Sequence, residues 1–145
     1  MDISQCISRL SPGWHGQPGA ATLALDDIER ATQLALPFDF REFMKWSDGG
    51  EAKLPLIYLS FWPSSRIIDL NHDYQINHYL GNKVLAIGSD GGAICFILDY
   101  RTSSSPCFSS VNFGDLDPTE IKQIAPSFTD ALDLALSGRL DDDSL

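Results

Sequence analysis

The sequence lacks any apolar run long enough to cross a membrane, lacks internal repeats, and is poor in cations, with ten Lys plus Arg against twenty Asp plus Glu and a formal charge of −10. A membrane helix needs about 20 predominantly apolar residues in a row, so a soluble chain is expected. The acidic excess repels phosphate backbones and anionic lipid, which argues against nucleic acid and membrane surfaces as partners. Cysteine is scarce: Cys6, Cys95 and Cys107 stand at irregular spacing with no C-x-x-C pair. That count and spacing predict neither a disulfide framework nor a structural zinc site. The amino terminus opens on Met1-Asp2 with no basic stretch and no apolar h-region, so no secretory signal is read and a cytoplasmic location is expected.

The residues that are present are those of a globular domain, 43% apolar and 10% aromatic over 145 residues. A chain of this length buries roughly two thirds of its extended surface as one domain. Residues 1–18 read as an irregular arm, broken by Ser11-Pro12-Gly13 and Gly16-Gln17-Pro18-Gly19, with one short helix around residues 3–10. Residues 19–138 read as the core, and residues 139–145 as a solvated acidic tail.

The chain is organised around residues 83–101, KVLAIGSDGGAICFILDYR. Two apolar runs, 84–87 and 93–98, flank a Gly-Ser-Asp-Gly-Gly break, the pattern of two buried strands joined by a hairpin. The second run does not alternate with polar residues, so both of its faces need cover. Gly88, Gly91 and Gly92 allow positive φ at the turn, and Asp90-Gly91 is a pair that tight hairpins favour. Further strands are expected at 56–59 and 106–111. Helices are expected from Thr22 to the approach to Pro37, then from Pro37 to a stop at Ser47-Asp48-Gly49-Gly50, with Phe40, Phe43 and Met44 as the apolar face of the second. A short helix should carry Ile67 and Ile68. Asp117-Pro118-Thr119-Glu120 reads as a helix start, and Phe128, Ala131, Leu132, Ala135 and Leu136 mark a last helix ending at Gly138. The predicted class is α+β, one domain, with a mainly antiparallel central sheet and helices at both chain ends packed on it.

Four segments in order are similar to motifs of one family. They are "LPFDFREFMKWSDGGE", "FWPSSRIIDLNHDY" with Trp62, Pro63, Asn71 and Tyr74, "IGSDGG" followed by an apolar strand and Asp99, and "IAPSFTDALDLAL". Together they resemble the SUKH superfamily of cell-wall regulators and bacterial immunity proteins, although Leu132 stands where an aromatic is common in that family. The resemblance implies an intracellular protein that neutralises a toxin, often a nuclease or deaminase, by occluding it and with no chemistry of its own. A regulatory scaffold is the other role the resemblance allows.

No motif supplies chemistry independently. The glycine loop lacks the Lys-Ser/Thr of a P-loop and leads into a strand rather than a helix N-terminus. His72 and His78 are six residues apart, a spacing that does not stack on one helical face, and His15 lies in the arm, so ordinary surface histidines are expected rather than metal ligands. Cys107 in a strand reads as a small packed residue rather than a nucleophile. Trp46, Phe61 and Trp62 read as core, with a carbohydrate or peptide platform as the alternative. No cofactor is predicted. The acidic balance serves either solubility or the capture of a basic protein, and in the second reading the candidate contacts are Asp48, Glu51, Asp69, Asp73 and Asp90, at turns and helix ends where side chains stay accessible. A small hydrolase assembled from scattered residues is the competing functional class.

Overall fold

The computed structural model describes all residues from Met1 to Leu145. Six strands form one antiparallel sheet in chain order: β1 Gly50–Lys53, β2 Tyr58–Phe61, β3 Val84–Ser89, β4 Ile94–Asp99, β5 Cys107–Asn112 and β6 Lys122–Ala125. Six helices pack on it: α1 Ile3–Leu10, α2 Thr22–Thr32, α3 Phe38–Trp46, α4 Ser64–Asp73, α5 Ile76–Leu80 and α6 Phe128–Leu136. This is the α+β architecture that the apolar pattern predicts.

β4 lies between β3 and β5 and is covered on both sides, as its unbroken apolar run requires. Phe96 and Leu98 point with Leu85, Ile87, Leu59, Phe61 and Phe108 into the main core beneath α1, α2, α3 and α6. Cys95 and Ile97 point the other way, into a smaller core with Val84, Ala86 and Val111 that α5 closes with Ile76 and Leu80. Of the three hairpin glycines, only Gly91 takes positive φ, at 84°. Gly88 serves close approach instead: a Cβ there would sit 2.1 Å from the Ser60 carbonyl oxygen, where β3 bulges between Ala86 and Gly88.

Four sequence expectations need correction. The first 18 residues are no loose arm. Helix α1 does occupy residues 3–10, but its apolar face, Ile3, Cys6 and Leu10, is buried in the main core. His15 then pairs with Glu51 as an isolated bridge that extends the sheet edge. The acidic tail keeps Asp142 and Asp143 exposed, as expected, but is anchored on either side of them. Leu140 is buried, and Asp141 caps a short turn by accepting from the Ser144 amide and hydroxyl. The helix start at Asp117 forms only a 3-10 turn, Pro118–Glu120, before β6 begins, because the chain must return along β5. Finally, the strand expected at 56–59 is shifted by two residues to Tyr58–Phe61, where it pairs with both β1 and β3.

Candidate partner-binding surface

Helix α4 organises the most distinctive part of the surface. β2 pairs with β3 at only two positions, Ser60 with Ser89 and Phe61 with Gly88, so the β3 edge at Ala86 is left for another partner. Asn71 supplies it. Its Oδ1 accepts from the Ala86 amide at 2.9 Å, and its Nδ2 donates to the Ala86 carbonyl at 2.8 Å and to the Ile67 carbonyl at 2.8 Å. One buried amide thereby replaces a ladder step and docks α4 to the sheet.

The N-terminal end of α4 is held by Asp48, whose Oδ1 accepts from the Ser64 amide at 2.6 Å while Oδ2 accepts from the Ser64 hydroxyl at 3.1 Å. A carboxylate there complements the exposed first-turn N–H groups and the helix dipole. At the other end, Tyr74 stacks on Trp62 with ring centroids 6.1 Å apart and planes at 14°, and meets Phe113 at 4.5 Å. Backbone bonds from Trp62 to Ile87 and from Phe113 to Ala93 anchor the outer rings to the sheet. Tyr74 remains 42% exposed, so the row presents an aromatic face to solvent. Phe61, by contrast, is core, whereas Trp46 and Trp62 are half-buried.

The five candidate carboxylates fall into two groups. Asp69 and Asp73 lie one helical turn apart on the exposed side of α4, with Asp69 3.6 Å from Arg66, and Asp48 sits at the start of the same helix. Glu51, on edge strand β1, raises the Tyr58 phenol above its ordinary value, chiefly by hydrogen bonding to it. The Tyr58 ring in turn lies where a side chain on Gly91 would go, next to Asp90. The Oδ1 of Asp90 accepts from the Gly92 and Ile94 amides and holds the hairpin turn, while Oδ2 makes no hydrogen bond within the protein.

Phe113 joins this surface without any signal in the sequence, and Gln33 and Gln75 line a cleft beside α4 with equally little local signal. Phe113 follows an ordinary strand, and glutamine is not the residue that marks a left-handed helix end. Elsewhere the thiols are ill placed for nucleophilic work. Burial pushes the Cys6 thiol up to about 11 and the Cys95 thiol higher still above its ordinary value. Cys107 has Ser109 Oγ at 3.4 Å and the Asp99 carbonyl as polar neighbours, with no imidazole among them. No three His, Cys, Asp or Glu residues converge as a metal set, and no helix is long and apolar enough to cross a membrane.

Compared with known families, residues 19–134 match the SMI1 / KNR4 family (SUKH-1). The chain belongs to that family. No curated protein matches it individually. The SUKH-1 match runs from the segment before α2 into α6, so it takes in the whole sheet, α4 and the aromatic row. SUKH-1 membership is consistent with an immunity or regulatory protein, in a family that is generally non-enzymatic.

Proposed function

We propose that this protein is a non-enzymatic immunity protein that neutralises a basic, nuclease-type toxin by direct binding. The observation that carries this reading is the aromatic row of Trp62, Tyr74 and Phe113, which meets the end of α4, the helix whose exposed side carries the acids Asp69 and Asp73. Aromatic faces attract Lys and Arg side chains, most strongly when the contact is desolvated, and nearby carboxylates reinforce that choice of partner. Glu51 and Asp90 form a second acidic group around Tyr58, and Asp48 contributes negative charge at the start of α4.

The test is to isolate the complex from the native cell, identify the bound protein and measure whether the purified chain abolishes its toxicity. A basic toxin neutralised at one-to-one stoichiometry supports the reading. A bound protein whose activity is modulated without toxicity points to the regulatory role. Turnover of an ester, phosphoester or glycoside panel by the chain alone, abolished by a point mutation, puts the hydrolase in its place.

A further inference from the structure

A cleft of about 950 Å3 opens between the end of α2, the corner joining α4 to α5, and the start of β3. That volume is at the upper end of the range for ligand pockets. Its floor is apolar, built from Leu34, Ile68, Val84 and Leu85, and its rim is polar. The rim contains no lysine or arginine; its ionisable groups are one carboxylate, Asp73, and two imidazoles, His72 and His78. A phosphate, nucleotide or carboxylate ligand would lose hydration there, meet the Asp73 charge and find no permanent cation, because the imidazoles are formally neutral at pH 7, so the lining disfavours anions.

What the rim offers is amide. Asn77 spends both amide N–H groups on the Gly81 and Val84 carbonyls and Gln33 spends one on the Arg30 carbonyl, which leaves both side-chain oxygens free to accept. Gln75 and Asn82 make no side-chain hydrogen bond within the protein, so each keeps both a donor and an acceptor. Gln33 and Gln75 are also the only non-glycine residues with positive φ, at 59° and 55°, and both stand at helix ends. Glycine is the unstrained residue at such positions. Glutamine accepts the strain and keeps an amide at the rim, and strained non-glycine backbone concentrates at ligand sites.

We propose that this cleft binds an extended segment of a partner polypeptide, one without acidic residues. The segment's backbone N–H and C=O groups pair with the amides of Gln33, Gln75, Asn77 and Asn82, and one apolar side chain enters the floor. Alternating donors and acceptors along an extended backbone suit side-chain amides, which carry one of each. A saccharide fits less well, because no Phe, Tyr or Trp lines the cleft for a sugar ring to stack on. As a contact with the toxin, the inference rests on the immunity reading above; as a peptide site, it stands alone.

Panning displayed random hexapeptides against the full chain tests the peptide site without knowing the partner. Selected peptides should carry an apolar residue and no Asp or Glu, and should shift backbone amide resonances of residues 31–34 and 71–85. Gln75→Gly and Asn82→Ala should each weaken a selected synthetic peptide about tenfold, the loss of one hydrogen bond. Gln75→Gly should leave the melting temperature unchanged or raised, because glycine relieves the left-handed position. Failure to select any peptide, equal affinity for the variants, or shifts outside the cleft would overturn the proposal, as would a neutral oligosaccharide panel that occupies the cleft when no peptide does. With a neutralised toxin in hand, unchanged toxin affinity in both variants removes the cleft from that interface and leaves the immunity reading intact.

Discussion

Asn71 is the residue on which the docking of α4 depends, because it satisfies both backbone groups of Ala86 inside the protein. Leaving a buried donor or acceptor unpaired costs about 1–3 kcal/mol each, so Asn71→Ala should destabilise the fold by about 3 kcal/mol in denaturant melts. A loss under about 1 kcal/mol would mean that water replaces the amide. Tyr100 makes a comparable contact to the segment after α2, its hydroxyl donating to the Ala35 carbonyl at 2.9 Å. Burial first, then the carboxylates of Glu29 and Asp39, raise its phenol well above the ordinary value. An unfolded tyrosine ionises near pH 10. The folded chain therefore holds a proton that the unfolded chain releases. The stabilisation is complete below about pH 10 and is lost as the pH rises beyond it. Cys6, pushed up to about 11 chiefly by burial, adds the same sign starting near an unfolded thiol pKa of about 8.5. Urea melts at about pH 8 and about pH 11 should show this alkaline loss, and Tyr100→Phe should lessen it. An equal loss in the variant would assign it to the other raised groups, the two buried thiols and Tyr58.

Among the elements, β4 bears most on stability, since it joins the two cores. Phe96 is fully buried among Phe61 and Phe108, at ring separations of 6.4 and 5.2 Å. Phe96→Ala should cost about 3–5 kcal/mol, the range for truncating a core phenylalanine, while a loss below about 1 kcal/mol would mean the surroundings collapse to fill the cavity. β4 was also the most legible element, because Ala93-Ile94-Cys95-Phe96-Ile97-Leu98 cannot expose either face. Edge strands are harder to read. Gly50-Glu51-Ala52-Lys53 has a single buried apolar residue, Ala52, and no β-branched side chain, so nothing in its composition marks β1. β6 was hidden behind Asp117-Pro118-Thr119-Glu120, whose capping chemistry is real but is spent on one turn: Asp117 accepts from the Thr119 amide and hydroxyl. α1 has a readable helical stripe, but only tertiary packing shows that the stripe completes the main core. The candidate site was legible in part for a similar reason. Asp69 and Asp73 share a helix, so spacing brings them together. The cleft is assembled from residues 31–34, 68–78 and 82–85, and no local pattern joins three such segments.

At the scale of the whole molecule, charge governs how a partner arrives. Arg30, Arg41, Lys45, Arg66 and Arg101 are engaged with nearby carboxylates, so half of the ten cations are locally neutralised, and the net charge remains −10. The surface ion pairs add little to stability individually, at most about 1 kcal/mol each. Their consequence is that most of the remaining acids face solvent without a cation, and a field of one sign raises the encounter rate of an oppositely charged partner by about 10- to 1000-fold at low salt. Screening shortens the reach of that field from about 10 Å at 0.1 M salt to about 3 Å at 1 M. With a basic toxin, stopped-flow association should therefore slow by about tenfold or more between about 0.05 and 0.5 M salt, while dissociation changes much less, because steering acts on the encounter rather than on the packed contact. Asp69→Asn with Asp73→Asn should lower the association rate at low salt and flatten its salt dependence, since both carboxylates are exposed on α4. An association rate that moves less than about twofold across that salt range would show that apolar packing on Trp62, Tyr74 and Phe113, rather than the acidic field, brings the partner in.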